Sequence, residues 1–203
     1  PSNVTAWFLE ACCNIAVNCY VLISAYFLIK SKFKIKKVIQ LVIEVVFYSV
    51  IIYFLFVIFN GKTIEPKELL STFLPVLTQQ YWFISTYLVM YILSPFMNML
   101  IEKLDKPTCK KLTLLMVGIF SIWPTVIFFG DSIDSKNGYS ISWFICLYFV
   151  GSYIRLHKNE LVKNRKKYLG AYLLISLVIT ASKFILSALY QHQIITEDYS
   201  EIY

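Results

Sequence analysis

VIQLVIEVVFYSVIIYFLFVIF, running from Val38 to Phe59, contains one charged side chain, Glu44, and apart from Gln40 and Ser49 reads as a continuous apolar and aromatic run. About 20 such residues, each rising 1.5 Å in a helix, cover the roughly 30 Å hydrocarbon core of a bilayer. The run is too long for a strand and does not alternate with period two. It therefore reads as a membrane-crossing helix. Lys34, Lys36 and Lys37 stand just before it, and Asn60-Gly61 just after.

Five more apolar segments lie outward from this one, giving helices expected at 11–29, 38–59, 81–101, 112–129, 141–156 and 168–190. The expected fold is all-α: a polytopic integral membrane helical bundle of about six transmembrane helices, forming one membrane domain over residues 1–203. Composition agrees. The 203 residues are 58% hydrophobic and only 15% charged, with a mean hydropathy of +0.65, whereas a soluble domain carries about a quarter charged residues. Disorder and an ordinary soluble fold are both excluded on that basis.

The net charge of +7 would raise the question of nucleic acid in a soluble protein. Its distribution gives another answer. Lys30, Lys32, Lys34, Lys36 and Lys37 form one cluster, Lys103, Lys106, Lys110 and Lys111 a second, and Arg155, Lys158, Lys163, Arg165, Lys166 and Lys167 a third. These follow the first, third and fifth apolar segments, so the positive-inside rule places those ends in the cytoplasm. The partner is a lipid bilayer, with no nucleic acid, and the expected location is the cytoplasmic membrane with multiple passes. Both ends of the chain then fall outside. An outside start with no charged leader predicts a helix preceding Pro1, making the chain a piece of a longer protein.

Polar residues inside such segments need a partner, a cavity or an interface, because each strongly polar group costs about 2.5 to 3.5 kcal/mol on insertion scales. Asn14 and Asn18, one turn apart, and Ser24 fall in the first segment, and Glu44 in the second. Two readings stay open for them: a polar cavity, or hydrogen-bonding glue between helices. Lys183 lies deep in the last segment, at a depth that makes a direct pair with Glu44 doubtful. Pro95 interrupts the third segment, removing a backbone donor from the carbonyl of Tyr91 and predicting a kink.

Between the second and third segments, Glu65-Pro66-Lys67-Glu68-Leu69-Leu70 places proline in a first helical turn with Glu65 or Thr63 as cap. With Phe73, Leu74 and Leu77 it predicts a short outward-facing interfacial helix. Trp7, Trp82, Trp123 and Trp143 all fall on the outer half, accompanied by Tyr81, Phe83, Tyr139 and Phe144. They fit an interfacial aromatic belt, and equally a flat platform for sugar rings.

The catalytic vocabulary is thin. Cys12, Cys13, Cys19, Cys109 and Cys146 form no C-x-x-C pair, and His157 and His192 sit at membrane edges, so neither a metal site nor a nucleophile–histidine–acid constellation is expected. No phosphate-binding glycine loop is present.

Three strings carry a family likeness. IAVNCYVLISAYFL (Ile15 to Leu28), YWFISTYL with YILSPFMN (Tyr81 to Asn98), and GYSISWF followed by YFVGSYIR (Gly138 to Arg155) resemble, in order and spacing, helices of the acyltransferase 3 family. These are membrane O-acyltransferases that acetylate cell-surface polysaccharides. The resemblance implies about ten helices, acetyl-CoA in the cytoplasm as acyl donor, a polysaccharide hydroxyl as acceptor, and no metal. It also implies an essential histidine in a helix upstream of Pro1, with a partner arginine. Lys34, Lys36 and Lys37 would then attract the donor's phosphates, unless they serve topology alone, while Trp82, Tyr139 and Trp143 would hold the acceptor. The chain departs from the family pattern at Asn14, where a cation is frequent, at Ala25, where glycine is usual, and at Lys34 and Lys37, which stand for a pair of arginines. Two other classes remain at this point: a polysaccharide-related transporter or flippase, and a catalytically inactive fragment.

Overall fold

A computed structural model describes residues 2–13, 15–61, 65–78, 80–123, 140–157 and 165–191. Among the described residues there is helix and no strand. Eight α-helices follow in order: α1 (Ser2–Cys13), α2 (Ala16–Leu28), α3 (Ile35–Asn60), α4 (Pro66–Phe73), α5 (Trp82–Lys103), α6 (Lys106–Val117), α7 (Ile141–His157) and α8 (Arg165–Gln191). A π-helical turn, Gly118–Ile122, continues α6.

Among the described residues four stretches, rather than the expected six, are long and apolar enough to cross a membrane: Thr5–Leu28, Ile35–Phe59, Trp82–Lys103 and Lys166–Ile185. Two of the expected spans fall short, and the first one begins elsewhere. The expected first helix starts too late at Ala11, since helix already runs from Ser2 and Glu10 lies inside it. The segment expected at 112–129 is half described: α6 and its π turn reach only Ile122, and residues 124–129 lie outside the described residues. The segment at 141–156 does form α7, but its 17 residues span about 25 Å, short of the hydrocarbon core.

The chain divides into two compact units, one of Pro1–Tyr20 with Lys158–Tyr203 and one of Val21–His157. In the first unit α1 packs on α8. Here Lys183 is 1% exposed and its Nζ lies 3.0 Å from Glu10 Oε2. That ion pair answers what a lysine deep in an apolar helix is doing, and its partner is Glu10. Tyr172 donates its hydroxyl to the carbonyl of Cys12 in the same unit.

In the second unit α5 and α6 both pack on α7. α7 is the core helix: Phe144, Cys146, Leu147, Tyr148, Phe149, Gly151, Ser152 and Tyr153 are all buried. Gly151 is required by a close approach, because a Cβ there would stand 2.7 Å from the carbonyl oxygen of Leu22 and 2.8 Å from Ala25 Cβ on α2. Small residues on both sides let two backbones meet, the usual device for packing helices in lipid. Ala25, where the family pattern has glycine, fits this contact and is fully buried.

α3 is the opposite case. Phe59 is 79% exposed and Ile58 71%, on a helix rich in β-branched residues that favour strands in water. Hydrocarbon removes both objections: it solvates the side chains, and it forces the backbone to satisfy itself as helix. α3 ends at Gly61, whose φ of 61° is left-handed and suits glycine at a helix C-terminus. α4 forms where Pro66 sits in the first turn, with Glu65 before it at the capping position but making no side-chain cap. It packs on α3.

Pro95 sits inside α5 without ending it. The carbonyl of Tyr91, which loses its backbone donor, receives the Ser94 hydroxyl at 2.7 Å instead. Ser94 is buried, so this bond replaces one that water cannot supply.

Candidate functional site

The three strings that carry the family likeness converge in the second unit. Gly151 of α7 touches Leu22 and Ala25 of α2. Arg155, in the last turn of α7, donates from Nη1 to the Tyr26 hydroxyl at 2.7 Å, with its guanidinium carbon 4.6 Å from the Tyr26 ring centroid. On α5, Asn98 joins the other two helices. Its Nδ2 donates to the carbonyl of Leu28 at 3.1 Å, and its Oδ1 accepts from the Tyr148 hydroxyl at 2.7 Å. Nearer the start of α5, the Tyr87 hydroxyl lies 3.5 Å from Ser24 Oγ. Polar groups that would be costly in hydrocarbon are thereby turned toward one another along the seam of α2, α5 and α7.

At one end of that seam lies a cleft of about 560 Å³, with Ser94 and Asn98 on its wall, Pro95 and Met99 beside them, and Ile29 to Phe33 across from them. Lys30, Lys32 and Lys103 bring three cations to it against one carboxylate, Glu102. All four of these side chains are exposed. The loop that carries Lys30 and Lys32 is fixed to α5 at two points: the backbone N–H of Lys34 donates to the Tyr91 hydroxyl at 3.3 Å, and the Phe33 and Tyr91 rings meet at 5.3 Å. A positive mouth over an amide suits an anionic or carbonyl-bearing ligand, whereas the Ser94 hydroxyl has already given its proton to the Tyr91 carbonyl.

The other end of α5 is aromatic. Trp82 and Phe83 both meet Phe144 of α7, at 6.5 and 5.8 Å between ring centroids, and Phe83 stacks on Tyr87. Trp82 and Asn98, sixteen positions apart on one helix, are separated by about 24 Å.

The family model described as an acyltransferase domain matches residues 1–203. The chain belongs to the acyltransferase 3 family. No curated protein and no solved structure matches it. Family and apolar helices together make it a membrane protein and an acyltransferase.

Within this acyltransferase domain, the residues expected from sequence fall as follows. Lys34, Lys36 and Lys37 are exposed at the start of α3 and do not line the cleft. The charge there comes instead from Lys30 and Lys32 of the same cluster and from Lys103. Trp82 lies at the aromatic end, where its ring meets those of Phe83 and Phe144, the latter the neighbour of Trp143; Trp143 is half-buried, its backbone N–H donating to Ser140 Oγ at 3.2 Å. Tyr139 and Asn14 lie outside the described residues, as does His192. Asn18 is half-buried on α2, and Ser24 faces Tyr87. Glu44 is exposed on α3, accepts from Gln40 one turn earlier at 2.8 Å, and does not line the cleft. His157 is half-buried against the Tyr153 ring at 5.0 Å. Asn98 and Tyr148 stand in the quoted strings without a role read for them. Their signal was present, since an amide one turn from a helix-breaking proline at a charged helix end has to bond something.

Proposed function

We propose that this chain is the membrane domain of an O-acyltransferase that moves an acetyl or other acyl group from cytoplasmic acetyl-CoA, or a longer acyl-CoA, to a hydroxyl of a cell-surface or capsular polysaccharide. The observation that carries the reading is the cleft, where three lysines ring the polar face made by Ser94 and Asn98, at the point where the three family strings meet. An acyl-CoA offers phosphates for the lysines and a thioester carbonyl for an amide donor. In the transfer, the sugar oxygen attacks the thioester carbonyl, the carbon–sulfur bond breaks, and the thiol of CoA leaves with a proton. A base takes the hydroxyl proton, and hydrogen-bond donors meet the oxyanion.

The cation-rich ends lie on the cytoplasmic side in this reading, and the domain crosses the cytoplasmic membrane several times. The aromatic end of α5 and α7, with Trp82 and Trp143, then faces outward and takes the acceptor, the role that the family resemblance also gives to Tyr139. Donor and acceptor ends stand about 24 Å apart along α5, so for the direct attack the thioester end of the acyl-CoA and the sugar hydroxyl reach toward each other between the two ends, and the acyl group stays bonded to sulfur until the sugar oxygen takes it.

Membranes carrying the whole protein are offered radiolabelled acetyl-CoA with a matching polysaccharide. Label on the polysaccharide, lost when Lys30 and Lys32 are both changed to glutamate, is the expected outcome. Polysaccharide that stays unlabelled, with acetyl-CoA left intact, overturns the reading.

A further inference from the structure

The amide of Asn98 is held in one orientation, and the reason is chemical. The carbonyl of Leu28 can only accept, so the atom facing it at 3.1 Å is the nitrogen. The oxygen therefore faces Tyr148, whose hydroxyl donates at 2.7 Å. A flipped amide would set its oxygen against the Leu28 carbonyl oxygen, with no proton between them; the Tyr148 hydroxyl, which can donate or accept, follows that choice and anchors the amide oxygen. The amide has two N–H donors and two acceptor sites, and one of each is thus engaged. One N–H of Nδ2 is left, on a half-buried residue that lines the cleft beside Lys30, Lys32 and Lys103.

Tyr148 itself is fully buried. It reaches no ligand. Its hydroxyl acts through Asn98.

We propose that Asn98 donates this remaining amide N–H to an oxygen of the acyl donor bound in the cleft, and that Tyr148 is a positioning residue which holds the amide with its nitrogen toward the ligand. The inference rests on the donor reading given above and deepens it: the lysines supply attraction without direction, whereas one fixed N–H supplies direction. An ammonium is a mobile point charge on a flexible stem, while a locked amide selects one oxygen at one position.

The test uses the whole protein in its membrane, with Tyr148→Phe and Asn98→Ala compared with the parent. The probe is tritiated acetyl-CoA, bound at a series of salt concentrations, with helix content followed by circular dichroism at the same temperature. Tyr148→Phe keeps the ring in its buried place. Loss of one oriented hydrogen bond is expected to weaken acetyl-CoA binding about threefold to tenfold in each variant, at unchanged helix content. The dependence of binding on salt keeps the parent's slope, because the three lysines still act. A purely structural role would not separate the two readouts in this way. Binding equal to the parent in both variants overturns this inference and leaves the donor reading standing. Weakening that merely follows loss of helix also overturns it. No binding by the parent overturns the donor reading and this inference together.

Discussion

Gly151→Ala is the substitution on which local and tertiary physics disagree in sign. Judged by helix propensity alone, replacing a glycine inside α7 should stabilise by about 0.5 to 1 kcal/mol. The contact says otherwise. The added methyl would stand 2.7 Å from the Leu22 carbonyl oxygen and 2.8 Å from Ala25 Cβ, where ordinary contact begins at 3.4 Å. The obstacle at 2.7 Å is backbone and cannot rotate away, so α2 and α7 must part by about 0.7 Å. Overpacking of this kind costs about 1 to 3 kcal/mol, and a fixed carbonyl argues for the upper half. Moving the helices apart also stretches the Arg155 to Tyr26 bond, now 2.7 Å, so transferase activity should fall with stability. The assay is unfolding of the purified protein in mild detergent, titrated with sodium dodecyl sulfate and followed by circular dichroism. Ala25→Gly in the same chain should recover part of the loss, since it removes one of the two collisions. Gly170→Ala on α8, where nothing lies within 4 Å, is the control and should be neutral or slightly stabilising. A Gly151→Ala protein as stable as the parent, or more so, would refute the reasoning.

Ser94→Ala should cost about 1 to 3 kcal/mol by leaving the buried Tyr91 carbonyl without a donor; Pro95→Ala restores a backbone N–H to that carbonyl, so in the Pro95→Ala background the same unfolding titration should show most of this cost gone. Glu10→Gln removes the carboxylate 3.0 Å from the buried ammonium of Lys183 and should lower the unfolding midpoint more than the double change Glu10→Gln with Lys183→Met, because a buried charge that loses its counter-charge costs more than an apolar replacement; a double variant less stable than the single one would contradict the pairing. Asp105, at the start of α6, has its carboxyl held below the ordinary 3.8, chiefly by the Thr108 side chain. A lowered folded pKa contributes stability that is complete above the unfolded value and fades as pH falls through the folded one. Midpoints measured at descending pH below about 4 should therefore drop more steeply in the parent than in Asp105→Asn.

How much of this was legible follows from what apolar length measures. Val38 to Phe59 declared itself because α3 is nearly bare: its side chains meet lipid, so nothing but length and composition had to be right. The helices at 81–101 and 168–190 were read to within three residues of α5 and α8 for the same reason. The expected helix at 11–29 begins just after Glu10, since a charge in a greasy run looks like a border; the counter-charge of Glu10 is 173 positions away, and no local pattern contains that number. The cleft was half visible. The cluster from Lys30 to Lys37 announced a cationic end, but which lysines turn into the cleft depends on the Lys34 and Phe33 contacts with Tyr91, a residue on another helix. Asn98 and Tyr148 were quoted together and left unjoined, since their bond closes across 50 residues. α7 makes the general point most sharply. At 17 residues it is too short to count as a span, yet it holds the greatest run of buried side chains in its unit. A helix packed among others does not need bulk on every face; it needs Gly151 where a backbone approaches and Tyr148 where an amide must be held. Apolar length therefore finds the helices that face lipid, while the helix that builds the site is marked by small and hydrogen-bonding residues whose partners lie elsewhere in the chain.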